Sequence, residues 1–148
     1  MRKTSVIVIA LVLAFAGGFA VRDLLPGTAI AHAQSPAPAR IFELRTYTAP
    51  DGKLADLHAR FRNHTRRIFE KHGIQNVAYF ATMEEPLAKN TLVYIIAHKD
   101  RAAATASWDA FRKDPEWVKV AADSQVNGRI VEKVESVFMT ATDYSPMK

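Results

Sequence analysis

Alternation and helical periodicity divide the chain beyond residue 40 into a strand, a helix, two strands, a helical region and a last strand. Over residues 41–47 the side chains alternate, so Phe42, Leu44 and Thr46 share one face of a pleated strand and Ile41, Glu43, Arg45 and Tyr47 the other. Pro50-Asp51-Gly52 ends that strand, because proline fixes φ and glycine permits a turn. At about 100° per residue from Leu54, the residues Leu54, Leu57, Phe61, Thr65, Ile68 and His72 fall on one stripe, with Asp56, Arg60, Asn63, Arg67 and Glu70 opposite. A helix so divided is expected to lie on a sheet with its other side in water. Lys71, His72 and Gly73 close it, since basic residues suit the last turn and glycine the left-handed position beyond it.

A second strand is expected over residues 76–82, with turn residues over 84–86 and 89–90. Residues 91–98, TLVYIIAH, are apolar on both faces, which marks a strand buried on both sides and central in its sheet. Asp100 is placed as the N-cap of a helix whose stripe is Ala103, Ala104, Ser107, Trp108 and Phe111. Asp114 caps another, with Pro115 at its first position, Glu116 near the positive end of the dipole, and Trp117, Val120 and Ala121 inward. Asn127-Gly128 ends the helical region, and residues 130–141 alternate as a last strand, with Val131, Lys133, Glu135, Val137 and Met139 on one face. The order βαββαβ with two right-handed crossovers predicts an α+β, ferredoxin-like fold: a four-stranded antiparallel sheet with both helical regions on one face. The other face then needs cover. A homodimer whose sheets stack about a two-fold axis supplies it and encloses a pocket.

Composition adds an address. Arg2-Lys3 precedes an apolar run over residues 6–21, and Ala31-His32-Ala33 is a small-x-small site of the kind signal peptidase cuts. Residues 1–33 are therefore expected to be an export signal, which directs the chain to the periplasm or the outside. The span of about twelve residues between run and site is long for such a signal, so an uncleaved anchor is the alternative, although a run of about 24 Å falls short of a ~30 Å hydrocarbon core. Residues 34–40 form a Pro/Ala linker, and residues 41–145 the folded domain. There is no cysteine, hence no disulfide, thiol nucleophile or thiolate metal site. The net charge is +5, and loss of residues 1–33 leaves 17 basic against 14 acidic residues. Arg60, Arg62, Arg66, Arg67 and Lys71 surround a helix without interleaved aromatics, so no nucleic-acid partner is expected.

Several motifs are shared with a known family. Glu43-Leu44-Arg45-Thr46-Tyr47 followed by Gly52-Lys53-Leu54, the helix end His72-Gly73, Trp108 with Phe111, Asp114-Pro115-Glu116-Trp117 and the closing Asp143-Tyr144-Ser145 keep an order and spacing that resemble NIPSNAP domain proteins, within the dimeric α+β barrel superfamily. The resemblance covers residues 41–145. It implies a ferredoxin-like subunit and a homodimeric barrel, and it implies little chemistry.

If Phe42 and Leu44 pack under the helices, then Glu43, Arg45 and Tyr47 line the pocket between sheets. Arg45 would be the fork-shaped donor and Tyr47 the orienting hydroxyl for a small-molecule ligand. The competing reading is a Glu43–Arg45 ion pair that satisfies buried charge. His72 is a further candidate, either as a ligand-facing base or as a hydrogen-bonded core histidine at a helix end. His64 and His72 stand about 12 Å apart along a helix and His58 and His64 about 240° around it, so no metal site is expected. No Gly-rich phosphate loop, nucleophile elbow or triad is present, and no cofactor is expected. Three functions fit: an exported homodimer that binds a small molecule, a cofactor-independent enzyme of the small-monooxygenase type, or a structural interaction domain.

Overall fold

A computed structural model describes residues 40–148. The expected export segment, and the linker up to residue 39, lie outside the described residues. The chain runs through β1 (Ile41–Thr48), α1 (Leu54–Arg60), a π-helical turn (Phe61–Thr65), α2 (Arg66–Lys71), β2 (Gln75–Ala81), a 3-10 turn (Leu87–Lys89), β3 (Thr91–His98), α3 (Arg101–Lys113), α4 (Pro115–Asp123) and β4 (Lys133–Thr140). The strands form one antiparallel sheet in the order β2-β3-β1-β4. This is the ferredoxin-like arrangement, with β1 and β3 central as the two crossovers require. Among the described residues no helix is long and apolar enough to cross a membrane.

Local chemistry sets the joints. Gly52 and Gly73 both take φ of +74°, a left-handed conformation that an L side chain resists, at the turn into α1 and at the end of α2. The Asp100 carboxylate accepts from the Ala103 backbone N–H at 2.7 Å, and the Asp114 carboxylate from that of Glu116 at 2.8 Å, so each satisfies an orphan donor at a helix start. The helical stretch from Leu54 to Lys71 is not uniform. Its π-helical turn follows Arg60, and the Thr65 hydroxyl donates to the Arg60 carbonyl at 3.3 Å.

Leu57, Phe61, Ile68 and Phe69 from this stretch bury themselves against Leu92, Tyr94 and Ile96 of β3 and Phe111 of α3. Full burial of an aliphatic chain such as Leu57 or Ile68 contributes about 1.5–3 kcal/mol. Aromatic rings dominate the layer: Tyr79 stacks on Tyr94 at 5.3 Å, and Phe61 meets Tyr47, Phe69 and Tyr94 at 5.7, 6.2 and 5.1 Å. Arg60, placed on the watery face by its position in the sequence, is buried instead, because α4 lies over it.

The two faces of β1 are the reverse of the expectation that Phe42 and Leu44 pack under the helices. Glu43 touches Trp108 of α3 and Tyr47 touches Phe61 of the π-helical turn, so Glu43, Arg45 and Tyr47 point toward the helices. By alternation Phe42 and Leu44 lie on the open side. The register there aligns Ala78, Ile95, Leu44 and Val137 in one apolar row across all four strands, beside a row of Gln75, Ala97, Phe42 and Met139. The polarity contrast of β1 points the wrong way, because its polar residues are the ones that turn under the helices; the hydrogen-bond partners of Glu43 decide it.

Candidate functional site

One buried carboxylate organises the space beneath the helices. Glu43 is 1% exposed, and each oxygen accepts two hydrogen bonds. Oε1 accepts from Arg45 Nη1 at 2.5 Å and Ser136 Oγ at 2.6 Å, and Oε2 from His98 Nε2 at 3.0 Å and Trp108 Nε1 at 2.8 Å. Burial alone would raise the pKa of this carboxyl. The bonds from His98, Ser136, Trp108 and Arg45 outweigh it and hold the value down at about 2. Four donors around one carboxylate thus fix a permanent negative charge, and that charge fixes Arg45. The Arg45 guanidinium lies 4.4 Å over the Trp108 ring and 5.5 Å from the centre of the Tyr47 ring, with Nη2 donating to the Tyr47 hydroxyl at 3.4 Å.

Beside this node a cleft of about 420 Å³ opens between the sheet and the pair α3–α4. Its walls are Trp108, Phe111, Trp117 and Phe138, with Arg45 and Tyr47 among the polar groups at its surface. Phe111 and Trp117 lie 4.3 Å apart, and the Arg101 guanidinium covers Phe138 at 3.5 Å. Aromatic faces with a few convergent polar groups suit a flat, mostly apolar molecule carrying an oxygen substituent.

Residues 42–146, the span that contains the sheet, both helical pairs and this cleft, match the sequence profile of the NIPSNAP family. The chain belongs to that family. Among solved structures, a NIPSNAP family protein of Agrobacterium tumefaciens is 21% identical with a TM-score of 0.66, over 75% of this chain and 96% of that one. A NIPSNAP-like domain protein of Burkholderia xenovorans is 17% identical with a TM-score of 0.64, over 74% of this chain and 90% of that one. SnoaB, a cofactor-independent oxygenase from Streptomyces nogalater, is more distant, 17% identical with a TM-score of 0.49 over 73% of this chain and 98% of that one. At these identities the likeness is one of fold. No curated protein matches the chain.

Of the candidate residues, this NIPSNAP fold brings Glu43, Arg45 and Tyr47 together, but on the helix side of the sheet rather than between two sheets. His72 stands apart from them. Its Nε2 lies 2.6 Å from Asp114 Oδ2, which Lys71 also reaches at 2.7 Å. Bonds from Lys71 and His72 hold the Asp114 carboxyl well below the usual carboxylate range, so His72 ties the end of α2 to the cap of α4. Among the described residues no three His, Cys, Asp or Glu side chains gather into a metal-holding group. Sequence reasoning missed His98, Ser136 and Trp108 as the partners of Glu43. Trp108 carried the one usable signal, since an indole N–H placed in a core stripe requires an acceptor.

Proposed function

We propose that this NIPSNAP protein binds a flat aromatic small molecule with an oxygen substituent in the cleft between its sheet and α3–α4, and that it does so as an exported homodimer. The observation that carries the binding is the cleft itself: four aromatic walls around an Arg45 whose geometry is pinned by Glu43. In this reading Glu43 serves the cleft as a fixed charge and not as a general base. A carboxylate held at about 2 with both oxygens occupied takes no proton near neutral pH. 2-Naphthol is a suitable probe, and its titration against tryptophan fluorescence should saturate. Tyr47→Phe removes one hydroxyl and is expected to weaken binding about five- to tenfold while leaving thermal stability nearly unchanged, because its bond to Arg45 is long. Failure of 2-naphthol to bind, or equal affinity in the variant, counts against the cleft.

The homodimer rests on the open face. That face leaves Val137 of β4 56% exposed and Phe80 of β2 50% exposed, and a second sheet laid against it would cover both. Export rests on the basic start, the apolar run over residues 6–21 and the Ala31-His32-Ala33 site. Native mass spectrometry of protein purified from its own cells is expected to give twice the mass of a chain beginning at Gln34, and Val137→Lys to give the single mass. A monomeric wild type, or a retained N-terminus, would remove the corresponding half of the proposal.

A further inference from the structure

A second cavity, separate from the aromatic cleft, lies between α1, the π-helical turn and the end of α4. It encloses about 330 Å³, and its lining includes Asp56, Arg60, Asn63, His64, Asp123 and Ser124. Arg60 is its least exposed lining residue, at 7%. Its guanidinium lies 5.2 Å from the Trp117 ring, and Nη1 donates to Ser124 Oγ at 3.4 Å. Nε is buried without a hydrogen-bond partner, and among the described residues no carboxylate pairs with this side chain.

That arrangement costs stability. A guanidinium taken out of water is compensated by a counter-charge and a full set of acceptors, and Arg60 has neither. The two carboxylates of the cavity do not supply them. Asp56 is engaged by Lys53 at 3.3 Å and Asp123 by Lys119 at 2.6 Å, so the charge left over in the cavity is the single positive charge of Arg60. The π-helical turn begins at the residue after Arg60, and such turns recur where a helix presents a functional side chain. The Trp117 ring and one long bond to Ser124 leave its charge without an anionic partner, where an apolar chain of similar length would carry no such cost.

We propose that this cavity is a binding site for a small carboxylate, held by the Arg60 guanidinium with Ser124 and Asn63 as flanking hydrogen-bonding groups. The planar fork of arginine matches the two oxygens of a carboxylate. With Asp56 and Asp123 each engaged by a lysine, the one remaining positive charge matches the single negative charge of a carboxylate.

The test compares thermal unfolding of the purified protein in sodium acetate and in sodium chloride at equal ionic strength. A ligand that binds only the folded state raises Tm with its concentration, so the wild type is expected to show an acetate-specific, saturating rise. Arg60→Met is expected to unfold at a higher temperature than wild type in chloride and to lose the acetate response. Arg60→Lys keeps the charge without the fork and is expected to need at least about tenfold more acetate for the same rise. Tyr47→Phe, which alters the aromatic cleft at little cost to stability, should leave the acetate response in place. The proposal is overturned if the wild type shows no acetate-specific rise, if Arg60→Met or Arg60→Lys responds as the wild type does, or if the response disappears with Tyr47→Phe. Should Arg60→Met fail to fold, Arg60→Lys and Tyr47→Phe still decide the matter.

Discussion

Glu43→Gln is expected to destabilise the protein by about 3–5 kcal/mol at neutral pH, the cost of removing one partner from a buried ion pair. The shape of the side chain is conserved, and the loss is chemical. Both carboxylate oxygens accept two donors, so an amide nitrogen on either side would face donors in place of an acceptor. Arg45 would also lose the charge that Glu43 sets 2.5 Å away. Against a net stability of roughly 5–15 kcal/mol, such a loss leaves the variant marginal. The folded pKa of about 2 lies below the ordinary 4.5, so the contribution of Glu43 is fully present above pH 4.5 and is lost as pH falls toward 2. By linkage its size is about 3 kcal/mol. The gap between wild type and Glu43→Gln is therefore expected to be widest at neutral pH and to close through that acid window. Urea unfolding at several pH values measures it, and a gap under about 1 kcal/mol at neutral pH would mean that the four hydrogen bonds do not hold the charge as described.

Phe69→Ala is the second large effect, expected at about 3–5 kcal/mol for an aromatic ring removed from a closed core. Phe69 is 1% exposed and touches four other rings: Phe61 at 6.2 Å, Tyr94 at 6.2 Å, Trp108 at 5.4 Å and Phe111 at 4.9 Å. The void would open beside Trp108, whose indole N–H holds Glu43. A red shift of tryptophan emission in the folded state should therefore accompany the loss of stability. A small loss with unshifted emission would show that α2 does not seat against α3 through this ring.

Signals that act within a few residues were readable in the sequence. The caps at Asp100 and Asp114, the left-handed Gly73 and the central place of the strand over residues 91–98 each follow from neighbouring side chains, and the structure has them in place. The helical wheel worked less well at Arg60, because the cover comes from α4, which no periodicity in α1 can report. The faces of β1 were misassigned for the same reason at longer range. What turns Glu43 inward is His98, Trp108 and Ser136, 55, 65 and 93 residues further along the chain, and a two-residue repeat carries no trace of them. His72 likewise finds Asp114 only 42 residues on.

Those separations also bear on time. A knot of hydrogen bonds that gathers both ends of the domain closes only after long loops have closed, late on the path to the native state. The energy stored in it then acts chiefly as a brake on escape. Replacing Glu43 should raise the unfolding limb of a chevron plot and leave the refolding limb nearly where it was.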